Sequence, residues 1–174
     1  MKKVLFPLLA VLLLVLTACS ASDDEQTSEK NVANNQQTEE TNDIKRNPLS
    51  PHLHELTASA DELPKFLDSK PEDLQFVYEV AAHATDVLEW IPCYCGCGEA
   101  AGHRNNLNCF VAETREDGSV IWDDHGTRCL VCLEIAVESV QMHIDGSSIQ
   151  EIRKYIDTKY EKGYAPPTKT DMPA

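Results

Sequence analysis

The feature that most constrains this chain is the run Pro92-Cys93-Tyr94-Cys95-Gly96-Cys97-Gly98, in which three thiols alternate with single residues. Glycines 96 and 98 can take positive φ, so the backbone can curl there and turn the sulfurs towards one point. Cys109, Cys129 and Cys132 follow, with His103 and His125 interleaved, so six of the seven cysteines lie between positions 93 and 132. A chain that folds around this stretch must give the sulfurs a metal, pair them as disulfides or use them in thiol-disulfide exchange.

The remaining composition is that of a globular domain. With 174 residues, 42% hydrophobic and 25% charged, wholesale disorder, a collagen repeat and a multi-span membrane protein are excluded. The formal charge of -14 would repel a phosphate backbone, and no cluster of Lys or Arg with interleaved aromatics offsets it. No nucleic-acid partner is expected.

Lys2 and Lys3 precede an apolar run over residues 4–16, which reads residues 1–18 as a secretory signal. The run is too short to span a bilayer and is broken by Pro7. It ends in Leu16-Thr17-Ala18-Cys19, which resembles the lipobox of bacterial lipoproteins. That resemblance implies a diacylglyceryl group on Cys19, hence a lipid anchor in the bacterial cell membrane and an extracytoplasmic location. Residues 19–47 lack hydrophobic periodicity and are expected to form the lipidated N-terminus and a disordered acidic tether with a reach of roughly 30 Å. Residues 48–69 carry Pro48, Pro51 and Pro64 with an H-x-H at His52 and His54. They read as a solvated approach segment rather than a metal site.

A cysteine-rich domain is expected over 70–163. Pro71, Glu72 and Asp73 suit a helix start, and Leu74, Val77, Tyr78, Ala81, Ala84, Thr85 and Leu88 recur at helical spacing until Pro92 stops the helix. Phe76, Val80 and Val87 add a second apolar row, beside which His83 reads as a partly buried structural histidine. Extended runs at 109–113 and 119–122 around Glu116-Asp117-Gly118 predict a hairpin. A second helix is expected over about 127–144, with Cys129, Cys132, Ala136, Val140 and His143 on one stripe. The C-x-x-C then sits at the positive end of the helix dipole, which favours thiolate. His143 lies about 16 Å further along the axis, too far to join it. Ser148 and Glu151 predict a capping box opening a last helix to about Glu161, and residues 164–174 read as a loose tail. The expected fold class is α+β, mainly helical: three core helices with a small β-hairpin and a cysteine-rich loop.

Residues 92–97, together with His103, Cys109, His125, Cys129 and Cys132, resemble the PCYCGC-motif lipoproteins of bacilli and their relatives. The resemblance implies an exported lipoprotein sharing this cysteine pattern and names no activity, so function rests on the chemistry. Three uses of the thiols remain open. The first is a metal site built from Cys93, Cys95, Cys97, His103, Cys109, His125, Cys129 and Cys132, since both C-x-C and helical C-x-x-C are donor spacings that can converge. The second is a disulfide-stapled interaction domain, and the third a thiol-disulfide exchanger using Cys129 and Cys132. Soft thiolates select copper(I) or zinc. C-x-C outside the cytoplasm suits Cu(I), for acquisition, buffering or delivery to an extracytoplasmic copper-handling partner. No enzymatic activity is expected, because no G-x-S-x-G, H-E-x-x-H or phosphate-binding glycine loop is present. Glu99, Asp123 and Asp124 read as caps and solvated groups.

Overall fold

A computed structural model describes residues 45–46 and 52–173. The expected signal at 1–18, the lipidation site Cys19 and nearly all of the tether lie outside the described residues. The described part falls within one unit spanning residues 39–174.

The fold is α+β and mainly helical. In chain order, strands β1 (Lys45–Arg46) and β2 (Leu53–Thr57) precede helices α1 (Glu72–His83), α2 (Thr85–Leu88) and α3 (Gly98–Ala101). Strands β3 (Val111–Thr114) and β4 (Val120–Asp123) and helices α4 (Leu130–Ile144) and α5 (Ile149–Lys159) complete it. The antiparallel sheet has the order β1-β2-β4-β3. The predicted hairpin is β3–β4, closed by Gly118 at φ +86, a value that L side chains resist.

Four expectations need correction. The expected approach segment contains structure from residue 52 onward: β2 lies in the sheet beside β4, pairing His54 with Asp123 and Thr57 with Val120. The helix expected to run unbroken to Pro92 breaks at Ala84, where φ -115 and ψ 38 leave the helical region before α2 resumes. The tail is not loose, because Ala165 N–H donates to Tyr94 O at 3.2 Å and Thr168 N–H to Cys93 O at 3.0 Å. The second apolar row also differs: Phe76 is exposed, and the His83 side chain beside the row is exposed and pairs with Asp61 at 3.2 Å.

The core explains how the sheet and helices meet. Tyr78 on α1 packs edge-on against Phe110 with ring centroids 5.2 Å apart, and Trp122 on β4 lies 6.2 Å away. All three are completely buried, and each such side chain contributes about 1.5–3 kcal/mol through burial. Their polar atoms are satisfied, with Trp122 Nε1–H donating to Thr57 Oγ1 at 2.8 Å and Tyr78 O–H to Asp123 O at 2.9 Å. A second cluster joins Val87, Ile91, Tyr94 and Ile135 to Ile152, Ile156 and Tyr160 of the last helix region. Helix α5 opens with the predicted capping box, Ser148 and Glu151 satisfying each other's backbone N–H groups. Helix α4 thus lies between the two clusters, and its N-terminus reaches the cysteine loop.

Candidate metal centre

Local structure delivers the sulfurs from three places. The loop after Pro92 carries Cys93 and Cys95, a 3₁₀ turn at Leu107–Cys109 carries Cys109, and the start of α4 carries Cys129 as its N-cap and Cys132 in its first turn. Asn106 ties these pieces together: its N–H donates to Ile91 O at 2.7 Å and its side chain to Cys132 O at 3.1 Å. The five sulfurs make a continuous nest. Cys93 Sγ is 3.1 Å from Cys95 Sγ, 3.4 Å from Cys132 Sγ and 3.7 Å from Cys109 Sγ, while Cys132 and Cys129 are 3.1 Å apart. All are free cysteines, and Cys93, Cys109 and Cys132 are buried.

Two of the expected imidazoles border the nest. His125 Nε2 lies 3.8 Å from Cys95 Sγ, and His103 Nδ1 lies 3.6 Å from Cys109 Sγ. Cys97 is the exception among the expected ligands. Gly96, at φ +79, reverses the chain between Cys95 and Cys97, so the Cys97 side chain is exposed and belongs to none of the donor groups. His143 faces solvent.

Four overlapping donor groups result, each with ligand atoms within 4.8 Å of one another: Cys95, His125, Cys129 and Cys132; Cys93, Cys109 and Cys132; His103, Cys109 and His125; and His52, His103 and Asp123. Buried Cys/His groups able to hold a metal ion are therefore a property of this fold. The fourth group was not legible as a site in the sequence. His52 is 5% exposed and Asp123 2%, and Asp123 Oδ2 stands 3.2 Å from His52 Nδ1 and 2.8 Å from His54 Nε2. His103 was an expected ligand and the H-x-H was visible, but nothing local joined them to Asp123, because β2 and β4 are brought together only by long-range pairing.

The electrostatics are those of thiolate and imidazolium pairs. Hydrogen bonds from the Cys129, Cys132 and Cys93 thiols pull the Cys95 thiol well below its ordinary range, and His125 adds to this against the cost of burial. Cys109 is lowered in the same way by Cys132 and Cys93, with help from His103. Burial alone would lower the two histidines, but hydrogen bonds to sulfur, and for His103 also to Asp123, raise His125 to about 10 and His103 to about 9. Cys132 moves the other way, raised by its hydrogen bond with Cys109 and then by Cys129 and Cys93. At this sulfur the crowd of neighbouring thiols outweighs the helix dipole that the C-x-x-C spacing brings into play.

A family model described as protein of unknown function with PCYCGC motif matches residues 8–173. No curated protein and no solved structure matches the chain.

Proposed function

The chain belongs to the PCYCGC-motif family, and from that premise together with the thiol nest we propose that it is an extracytoplasmic lipoprotein that binds Cu(I), for acquisition, buffering or delivery of the ion. The observation that carries this reading is the buried trio Cys93, Cys109 and Cys132. Three converging soft sulfurs suit a low-coordinate thiophilic ion, whereas a resting dithiol or three separate disulfides would not require them to meet. Cys19 is the proposed lipid attachment point, on the strength of the lipobox-like sequence before it. Delivery or acquisition implies an extracytoplasmic copper-handling partner at the same membrane face.

Zinc is the second ion the donors suit. Cys95, His125, Cys129 and Cys132 supply three sulfurs and one nitrogen, the composition of a closed structural zinc site. The exchanger reading rests on the 3.1 Å separation of Cys129 and Cys132. Against it, Cys132 is fully buried, and its sulfur is also engaged with Cys93 at 3.4 Å.

The test is elemental analysis beside free-thiol titration of protein purified under reducing, anaerobic conditions. Stoichiometric copper with six titratable domain thiols is expected. Metal at 100 times Kd should stabilise the fold by about 2.7 kcal/mol. Replacing Cys95 and Cys132 together with Ser should abolish binding, while Cys97→Ser should retain it. Three intact disulfides among these six cysteines with no retained metal would overturn the proposal.

A further inference from the structure

We propose that His52, His103 and Asp123, with His54 braced against the same carboxylate, form a second metal site beside the thiol nest, one that takes a divalent ion of the Zn(II) class. Nothing in the Cu(I) reading requires it, and the two stand or fall separately. The donors are segregated by chemistry. On one side lie five sulfurs, and on the other a buried carboxylate surrounded by imidazoles, a nitrogen and oxygen set that suits borderline divalent ions rather than Cu(I).

Geometry supplies the first argument. Four ligands bound tetrahedrally at about 2.0–2.1 Å stand about 3.3–3.4 Å apart along each edge. Asp123 Oδ2 lies 3.2 Å from His52 Nδ1 and 3.4 Å from His103 Nε2, edges of that length. His54 Nε2 approaches the same oxygen at 2.8 Å but stands outside the trio whose ligand atoms lie within 4.8 Å of one another, so it orients the carboxylate and the fourth position is left to water.

Hydrogen-bond accounting supplies the second. Three imidazole nitrogens point at one carboxylate oxygen, which offers about two lone-pair sites. The other oxygen, Oδ1, already accepts the His125 N–H at 2.7 Å. The three contacts cannot all be well-made hydrogen bonds, but an ion between oxygen and nitrogens satisfies them together. Asp123 is also a nearly buried carboxylate whose ion-pair partners among the described residues are histidines, with no Lys or Arg. A buried negative charge of this kind needs a positive one beside it, which an imidazolium supplies when protonated and an ion bound in its place supplies equally.

The site has an entrance and a link. The His54 side chain is 28% exposed, giving an ion a way in that does not cross the sulfurs. His103 presents Nε2 to Asp123 and Nδ1 to Cys109, and His125 presents Nδ1 to His52 Nε2 at 3.1 Å and Nε2 to Cys95, so two imidazoles connect the two compartments.

The test uses the reduced full-length chain, its thiols first saturated with Cu(I) without oxygen and then titrated with Co(II) as a spectroscopic probe. One equivalent of Co(II) is expected, with visible d–d bands and no sulfur-to-cobalt charge transfer in the near ultraviolet. Losing a partner that merely orients a ligand costs about 10–100-fold in affinity. His52→Ala and Asp123→Asn should each exceed that, and the more exposed His54→Ala, the variant least able to disturb folding, should weaken Co(II) at least tenfold. Failure of the Cu(I)-loaded protein to take up Co(II), uptake with thiolate charge transfer, or unchanged affinity in His54→Ala and His52→Ala would overturn the inference. If the nest itself takes no Cu(I), the Co(II) spectrum of the metal-free protein still reports on the nitrogen and oxygen site, so the two proposals fail by different signals.

Discussion

His54 and Asp123 are direct partners across the antiparallel β2–β4 ladder, and their side chains meet at 2.8 Å between Nε2 and Oδ2. A cross-strand pair is the unit through which a sheet fixes side-chain geometry, so this ladder sets the position of the carboxylate that the histidines surround. The sheet therefore serves the site directly, and the N-terminal strand belongs to the functional domain.

That dependence can be measured by truncation. A chain beginning at residue 58 lacks β2, and with it the Thr57 hydroxyl that accepts the Trp122 indole N–H at 2.8 Å. Leaving a buried donor unpaired costs about 1–3 kcal/mol, before the lost ladder is counted. Its thermal midpoint should fall well below that of a chain beginning at residue 44. Equal midpoints in circular dichroism melts would show that β2 contributes nothing to the fold.

The sulfur electrostatics predict an optical signal. Cys95 and Cys109 are lowered by their neighbours, while Cys93 and Cys132 are raised chiefly through Cys109, and Cys97 by burial. A lowered thiol pKa means that the thiolate persists as pH falls below the free value of about 8.5. Reduced, metal-free protein should therefore keep about two thiolate equivalents of 240 nm absorbance at pH 6. Loss of this absorbance with an ordinary midpoint near pH 8.5 would contradict the imidazolium pairing.

Gly126, next to His125, tests the packing beneath the histidines. A Cβ there would lie 2.6 Å from Phe110 Cε1 and 2.9 Å from the Tyr78 hydroxyl, and both rings are held in the core. Gly126→Ala is expected to destabilise the protein by about 1–3 kcal/mol, the usual cost of overpacking. It should also weaken metal binding by displacing His125. A denaturation midpoint matching the parent would mean that the core yields at this point without cost.

Much of this was legible in the sequence, and the failures share a cause. Helix α5 and its Ser148–Glu151 box, the β3–β4 hairpin and the inward stripe of Cys132, Ala136 and Val140 are local patterns, written within a few residues of each other. The convergence of Cys93 and Cys95 with Cys109, Cys129 and Cys132 followed from donor spacing. Cys97 did not join them, because alternation puts every second residue on one side only while the backbone stays extended, and Gly96 ends that. His52 and His54 were read as solvated because their strand partner lies about seventy positions downstream, and a lone H-x-H carries no sign of it. The tail fails the same test: its prolines show no periodicity, and its partner is the cysteine loop.

That tail leads to the last prediction. Thr168 N–H donates to Cys93 O at 3.0 Å and Cys93 N–H to Thr168 Oγ1 at 2.9 Å, so the segment is bonded to the backbone of a buried donor residue. The loop side is shaped to receive it, since a Cβ at Gly98 would stand 2.4 Å from Thr168 Cγ2. Thr168→Val keeps the shape and removes two hydrogen bonds, one within the tail to Thr170 Oγ1 and one that ties the tail to Cys93, the latter worth about 0.5–1.5 kcal/mol. If the strap must lift for an ion to leave the nest, that loss raises the open population roughly two- to thirteenfold, with 1.4 kcal/mol per factor of ten. Release of Cu(I) to a strong chelator should accelerate by this factor in Thr168→Val and by more in a chain ending at Gly163, with total copper capacity unchanged in both. Identical release rates in all three proteins would mean that the ion leaves by another side of the loop, past the exposed Cys97 rather than under the strap.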